Sequence, residues 1–263
     1  MPTNYLGVAF SPYVGAWSGT SPPASTPPWN SYSREEIVLM LETIASSFDK
    51  ISTYGMGYAG YYPPGTPWNQ VDSNCRVAGA AALLNQRRGQ RVIEVSQGIY
   101  QQSTPELQQA EIAAACTAAQ EANAVFPHTV TSLVFTNEYV TDTVTTNAVT
   151  AMLTAHKPAV NVLGLKVGVR SQTFGQLTNP ASPYLAPLQT LVRNCDFILC
   201  NLYPPNPPGT IQDSLFSVTR AFDGITAAVV AVNPQCDVMI GETGWPSAGI
   251  SFNNSINTVE NAR

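Results

Sequence analysis

An apolar strand that ends on a carboxylate decides how this chain folds, and its clearest copy reads Asp237-Val238-Met239-Ile240-Gly241-Glu242-Thr243-Gly244-Trp245-Pro246-Ser247. A second copy, Thr131-Ser132-Leu133-Val134-Phe135-Thr136, runs directly into Asn137-Glu138. Both are apolar at successive positions, which is typical of strands buried on both faces of a parallel sheet. Two glutamates at strand ends, one preceded by an asparagine and one followed by a tryptophan, indicate sugar chemistry by a general acid and a nucleophile.

Five further β-rich segments alternate with helical patterns along the chain. The seven predicted strands are Leu6–Phe10, Ile51–Tyr54, Arg91–Ser96, Ser132–Asn137, Leu165–Val169, Phe197–Leu202 and Val238–Gly241. Their starts recur every 32 to 45 residues, which is one strand plus one helix and predicts parallel βαβ units. We therefore predict an α/β protein with a single (β/α)8 TIM barrel. The eighth strand is not identifiable: either the chain is truncated after Arg263, or residues near Ser251–Thr258 supply it.

The helices carry their own start and stop signals. Ser33-Arg34-Glu35-Glu36 is a capping box, and Thr104 followed by Pro105 predicts a second helix start. A third helix is predicted from Ser214 to Val232, ending at Asn233-Pro234. No linker long enough to separate domains interrupts these elements, so residues 1–263 are expected to form one catalytic domain.

The composition limits the classes of partner. Charged residues make up 11% of the chain, against about 25% in an average globular protein, so uncharged polar side chains must build the surface. Such a surface suits a polyhydroxyl ligand and favours a secreted or cell-wall protein. The net charge is -5 and no basic cluster exceeds Arg87-Arg88, which argues against nucleic-acid binding. No apolar run approaches the roughly 20 residues of a membrane span, and we expect a monomer.

Other chemistries are not supported by the motifs. The two histidines, His128 and His156, do not lie at a strand end near a nucleophile, which argues against a Ser-His-Asp triad and a metal site. No phosphate-binding glycine motif is present, so no cofactor is expected. Cys195 and Cys236 precede neighbouring predicted strands, which predicts a disulfide between them, with burial as thiols as the alternative.

Motifs in six strand-end segments resemble those of glycoside hydrolase family 17, the β-1,3-glucanases and glucanosyltransferases, in the form seen in fungal members. The segment from Gly241 to Ser247 resembles the family's nucleophile signature, and Thr136-Asn137-Glu138 resembles the acid/base motif of its clan. The remaining matches follow the family's order: Gly7-Val8-Ala9-Phe10-Ser11-Pro12-Tyr13, Ile51-Ser52-Thr53-Tyr54-Gly55, Gln97-Gly98-Ile99-Tyr100 and Asn201-Leu202-Tyr203-Pro204.

This resemblance implies a role for each site residue. Glu138 would be the acid/base and Glu242 the nucleophile. Asn137 would contact the sugar 2-hydroxyl, and Tyr203 would hold the nucleophile. The remaining implied substrate-binding residues are aromatic side chains that offer a flat face to a pyranose ring: Trp245, Tyr100, Tyr54 and Tyr13. The alternative to a binding role, for each of these side chains, is a structural one as an ordinary strand-end or core residue.

The resemblance also implies the reaction. It predicts a retaining enzyme acting on β-1,3-glucan by double displacement through a covalent glucosyl–enzyme intermediate. Similarity to fungal wall-remodelling members favours a β-1,3-glucanosyltransferase, with an endo-β-1,3-glucanase as the alternative. Two further hypotheses remain open: a glucan-binding wall protein without turnover, and a retaining enzyme of the same clan acting on another β-glucan or on mannan.

Overall fold

The computed structural model describes residues 7–12, 32–57, 65, 67, 73–204 and 211–244. The chain divides into two compact units. The first consists of Met1–Asn137 and Ala155–Val167, and the second of Glu138–Thr154 and Gly168–Arg263. The assignment of residues 1–263 to one domain stays a prediction.

Seven strands lie within the described residues. They are β1 (Gly7–Ala9), β2 (Lys50–Ser52), β3 (Glu94–Ile99), β4 (Val130–Asn137), β5 (Lys166–Ser171), β6 (Phe197–Asn201) and β7 (Asp237–Glu242). In the first unit, β1 to β4 pair in parallel in chain order. In the second unit, β5, β6 and β7 do the same. All seven sequence-predicted strands are thus confirmed, with boundary shifts of a few residues.

Helices follow the strands in regular alternation. They are α1 (Arg34–Ala45), α2 (Val77–Arg88), α3 (Pro105–Val125), α4 (Thr143–Val162), α5 (Leu185–Asn194) and α6 (Ile211–Val232), with short 3-10 helices at Ser73–Arg76 and Thr173–Thr178. The strands follow one another in the sheet in the order of the chain, from β1 to β7. This order and the alternation of strands and helices are those of the (β/α)8 TIM-barrel class, as predicted. No eighth strand lies within the described residues, and positions 251–258 fall outside them.

The predicted helix starts are confirmed by their caps. The Ser33 Oγ accepts the Glu36 N–H while the Glu36 carboxylate accepts the Ser33 N–H, which completes the capping box. The Thr104 side chain accepts the Leu107 N–H, with Pro105 at the first helical position. These bonds satisfy backbone donors that have no partner inside the helix. The third prediction is confirmed as well, since α6 ends at Val232.

The start of β3 differs most from its prediction, by three residues. The Asn85 side chain accepts N–H groups of Val92 and Ile93 and donates to the Ile93 carbonyl oxygen. Because this side chain satisfies the backbone of residues 92 and 93, those residues need no strand partner there, and the ladder begins at Glu94. Asn85 lies on α2, outside the predicted strand, so the strand pattern itself gives no signal for such a shift.

The structure does not form the predicted disulfide between Cys195 and Cys236, so this prediction is wrong. The register explains this. β6 pairs Phe197 with Asp237, and the Asp237 N–H donates to the Asp196 carbonyl. Just before the first paired residues, Cys236 therefore stands level with Asp196 and not with Cys195.

Helix α6 is unusually apolar on its exposed side. Leu215, Phe216 and Val230 are all exposed, and an 18-residue window within Gln212–Val232 has a mean hydropathy of 1.5. By length and composition alone this helix meets the requirement for a membrane span, a test that helices of water-soluble proteins also pass. The sequence-based expectation that the protein has no span stays a prediction.

Candidate active site

Glu138 lies directly after β4, in a backbone conformation that non-glycine residues seldom adopt. Its φ is 52°, and that of Thr136 is 62°, so left-handed residues stand on both sides of Asn137. Each such residue costs about 1–3 kcal/mol and persists only where surrounding contacts hold it. One contact is in the second unit, where the Glu138 N–H donates to the Arg170 carbonyl oxygen at 3.1 Å. This bend presents the exposed Glu138 side chain at the carboxyl end of the strand.

Glu242 ends β7, and its two carboxylate oxygens have different neighbours. The Tyr203 hydroxyl donates to Oε2 at 2.9 Å, which is the contact predicted for this pair. The Arg170 Nη1 lies 3.5 Å from Oε1, with the Arg170 side chain 0% and the Glu242 side chain 14% exposed. A cation and a hydroxyl donor therefore compensate the charge of this carboxylate from two sides.

Asn201 connects the two carboxylates within the second unit. Its Nδ2 donates to Glu138 Oε1 at 2.9 Å, and its Cα is the register partner of Glu242. The Asn201 side chain is buried at 3% exposure. A Cβ on Gly241 would lie only 2.8 Å from both Asn201 Oδ1 and Leu199 Cβ. The glycine before the nucleophile candidate is therefore required so that β6 and Asn201 can approach.

Arg170 and Leu202 add further contacts to the two carboxylate residues, Glu138 and Glu242. Arg170 on β5 holds Glu138 through its carbonyl oxygen and Glu242 through its guanidinium. The Leu202 N–H donates to the Glu242 carbonyl oxygen at 2.9 Å, which fixes the end of β6 beside the end of β7. Two carboxylates with such unlike partners, one paired with a cation and one with a neutral amide, are equipped for different roles in one reaction.

The other predicted binding residues occupy strand ends in the first unit or lie outside the described residues. Asn137 is half-buried, and its N–H donates to Gln101 Oε1 at 3.4 Å. Tyr54 follows β2 and Tyr100 follows β3, each half-buried. Tyr13 and Trp245 lie outside the described residues, so their assignments stay predictions. The contact of Asn137 with a sugar hydroxyl likewise stays a prediction.

Two functional neighbours were missed by sequence analysis as individual residues. Arg170 follows the apolar run Val167-Gly168-Val169, so it occupies a strand end as Glu138 and Glu242 do. A search for any charged residue in that position, instead of carboxylates alone, would have found it. Asn201 was part of a quoted motif, but its bond to Glu138 depends on the placement of β6 and has no local signal.

A buried carboxylate on α3 organises two strand ends of the first unit. Glu111 is 0% exposed, and its Oε1 accepts the Met56 N–H at 2.6 Å and the Tyr100 N–H at 3.0 Å. A Cβ on Gly55 would lie 2.7 Å from the Tyr100 Cβ and 2.8 Å from Glu111 Oε1. Glu111 therefore fixes the segments that carry Tyr54 and Tyr100, and Gly55 leaves the room for it.

A cavity of about 680 Å³ lies elsewhere in the first unit, between α2 and α3. Its lining includes Arg34, Arg76, Gly79, Ala118 and Glu121. It contains none of the predicted site residues, and Glu121 is the one carboxylate among its lining residues. Chemistry that needs two carboxylates is therefore assigned to the strand ends and not to this cavity.

The fold is similar to those of solved glycan-active enzymes. An endo-laminarinase from Formosa Hel1_33_131 matches with a TM-score of 0.67 and 15% identity, over 97% of this chain and 69% of that chain. A glycoside hydrolase family 17 beta-1,3-glucanosyltransferase from Rhizomucor miehei matches with a TM-score of 0.61 and 18% identity, over 97% of this chain and 77% of that chain. No protein-family model and no curated protein sequence matches the chain. At these identities the similarity shows the fold alone. At the level of the fold, it confirms the resemblance to glycoside hydrolase family 17.

Proposed function

We propose that the protein is a retaining β-1,3-glucan-active enzyme that works by double displacement, with Glu242 as nucleophile and Glu138 as acid/base. The single observation that carries this proposal is the network of Glu138, Asn201, Arg170 and Glu242 within the second unit. Retaining hydrolysis requires two carboxyl groups about 5–5.5 Å apart. A link through one asparagine, bonded to one carboxylate and in register with the other, suits such a short separation.

The contacts of Glu138 fit a proton donor. Its Oε1 accepts the Asn201 amide, so a proton on this carboxyl group belongs on Oε2. The Glu138 side chain is exposed, which leaves Oε2 accessible to a glycosidic oxygen. After the first bond is broken, the same oxygen is available to take a proton from water or from a sugar hydroxyl.

The contacts of Glu242 fit a nucleophile. Nucleophilic attack on the anomeric carbon needs an ionised carboxylate held in one orientation. Arg170 compensates its charge, and the Tyr203 hydroxyl fixes the rotation of the carboxylate. In the first step an oxygen of Glu242 bonds to the anomeric carbon while the glycosidic bond breaks and Glu138 protonates the departing oxygen.

The substrate assignment is supported by the motif resemblance and by the fold shared with a laminarinase and a β-1,3-glucanosyltransferase. We assign sugar contacts to Asn137 and to the aromatic residues Tyr13, Tyr54, Tyr100 and Trp245. The protein is further proposed to be a secreted or cell-wall monomer, in keeping with its content of only 11% charged residues.

Capture of the intermediate by a sugar hydroxyl makes the enzyme a β-1,3-glucanosyltransferase that remodels wall glucan, which is the activity we favour. Capture by water gives endo-β-1,3-glucanase activity instead. The two activities share the first half-reaction and all the contacts described above. A time course on a β-1,3-linked glucose hexamer, with products resolved by mass, separates them, since only a transferase makes products longer than the input.

The proposal is tested with Glu242→Ala, which should abolish turnover, and with Glu121→Ala, which removes an exposed carboxylate and should leave turnover unchanged. NMR of the first product formed by the wild-type protein should show the β anomer, because double displacement retains configuration. Full activity of Glu242→Ala, or an α product, would overturn the mechanism. Glucan binding without product would favour a binding protein, and preferential turnover of β-1,4-linked oligosaccharides would favour another substrate.

A further inference from the structure

Arg170 is a fully buried cation that contacts both carboxylate residues of the candidate active site. Its side chain is 0% exposed, its Nη1 lies 3.5 Å from Glu242 Oε1, and its carbonyl oxygen accepts the Glu138 N–H. Arginine is almost never fully buried unless it is paired. Its position on β5 therefore places a permanent positive charge beside the carboxylate that changes its charge during the reaction.

We propose that Arg170 is a positioning residue that sets the lifetime of the covalent intermediate, by stabilising Glu242 as the carboxylate that departs in the second half-reaction. This inference rests on the proposed function. It extends that function, since the resemblance assigns no role to the residue at position 170.

The charge of Glu242 alternates through the cycle. In the first step the Glu242 carboxylate donates an electron pair to the anomeric carbon and becomes a neutral ester. In the second step Glu138 takes a proton from water or a sugar hydroxyl, the oxygen of that group bonds to the anomeric carbon, and the bond to Glu242 breaks. The electron pair of that bond returns to Glu242, which becomes an anion again beside Arg170.

A fixed cation interacts more strongly with the carboxylate than with the ester. Arg170 therefore lowers the free energy of the free enzyme relative to that of the intermediate, and it stabilises the charge that develops on Glu242 as the second step proceeds. Tyr203 cannot replace this effect, because its hydroxyl is a neutral donor at an exposed position. Loss of the guanidinium should slow the release of the sugar more than its attachment.

The test compares Arg170→Met and Arg170→Lys with Arg193→Met, which removes the same charge from an exposed position of α5. Turnover of the β-1,3-linked glucose hexamer is quenched with acid, and the intact protein mass is measured. Arg170→Met should carry a covalent oligosaccharide and show kcat and KM reduced together by about tenfold, with a smaller change in kcat/KM. Arg170→Lys should fall between this variant and wild type, and Arg193→Met should match wild type.

If Arg170 had a purely structural role, its loss would change the kinetics and the adduct differently. A lower kcat with unchanged KM and no adduct in either Arg170 variant would overturn the inference. Thermal unfolding shows whether Arg170→Met is folded, and if it is not, the adduct and the kinetics of Arg170→Lys decide. An inactive wild-type protein, or an active Glu242→Ala variant, would instead overturn the proposed function and this inference with it.

Discussion

The hydrogen bond from Tyr203 to Glu242 gives the sharpest prediction about the site. Tyr203→Phe deletes the hydroxyl that donates to Glu242 Oε2 at 2.9 Å and leaves the ring in place. The carboxylate keeps its interaction with Arg170 at Oε1. The substitution therefore removes one orienting contact of the nucleophile without removing the compensation of its charge.

The expected magnitude follows from the kind of bond and its exposure. A hydrogen bond to a charged group contributes a net of about 1.5–3 kcal/mol. Tyr203 is 54% exposed, so water can replace part of the lost bond, and the lower end of this range applies. About 1.5 kcal/mol corresponds to a fall in kcat/KM of roughly tenfold. Because the residue is exposed, the free energy of unfolding should change by no more than about 0.5 kcal/mol.

The assay is the initial rate of consumption of the β-1,3-linked glucose hexamer, measured together with thermal unfolding. Tyr184→Phe, a half-buried tyrosine of the same unit, is the matched control and should keep the wild-type rate. A Tyr203→Phe rate within about twofold of wild type would refute the holding role, since that is well below the tenfold effect of one such bond. A loss beyond about a thousandfold would exceed what one exposed hydrogen bond contributes and would assign the hydroxyl a direct part in the chemistry.

Two further predictions concern buried groups. Glu111→Leu leaves the N–H groups of Met56 and Tyr100 without their acceptor, at about 1–3 kcal/mol each. Urea unfolding should therefore show a loss of roughly 2–6 kcal/mol, and a loss below about 1 kcal/mol would contradict the role of Glu111 as acceptor for both N–H groups. Glu121→Leu, at an exposed position, is the control. Burial, with a smaller contribution from Cys236, raises the pKa of Cys200 to about 12, so iodoacetamide at about pH 8.5, the usual thiol pKa, should modify it only after unfolding. Because the folded pKa lies above the unfolded one, this thiol should lower stability only as the pH rises above about 8.5, and rapid native-state alkylation would contradict its burial.

Most of the fold could be predicted from local patterns. Most of the seven strands contain an apolar run, and Ser33 and Thr104 mark helix starts through bonds to residues only three positions away. The two carboxylates were also found in this way, because each follows directly on an apolar strand. Parallel strands of one sheet end on the same side, so their position along the strand was enough to suggest one site.

The contacts that join those carboxylates to their partners could not be found from local patterns. Asn201 reaches Glu138, and Arg170 reaches Glu242, only because β5, β6 and β7 pair in one register. Glu111 lies in the middle of an alanine-rich helix, where nothing nearby in sequence shows that it binds the ends of two strands. The disulfide prediction failed for the same reason, since a one-residue offset in register separates Cys195 from Cys236.

The sequence by itself determined the succession of strands and helices, the helix caps and the two strand-end glutamates. The physical reason is that periodicity, capping and strand termination depend on residues within a few positions of each other. Only the tertiary structure decided that a buried arginine and an asparagine compensate and connect these glutamates, and that Cys195 and Cys236 do not form the predicted disulfide. Those contacts join strands far apart in the chain, and the register of backbone hydrogen bonds selects which side chains meet.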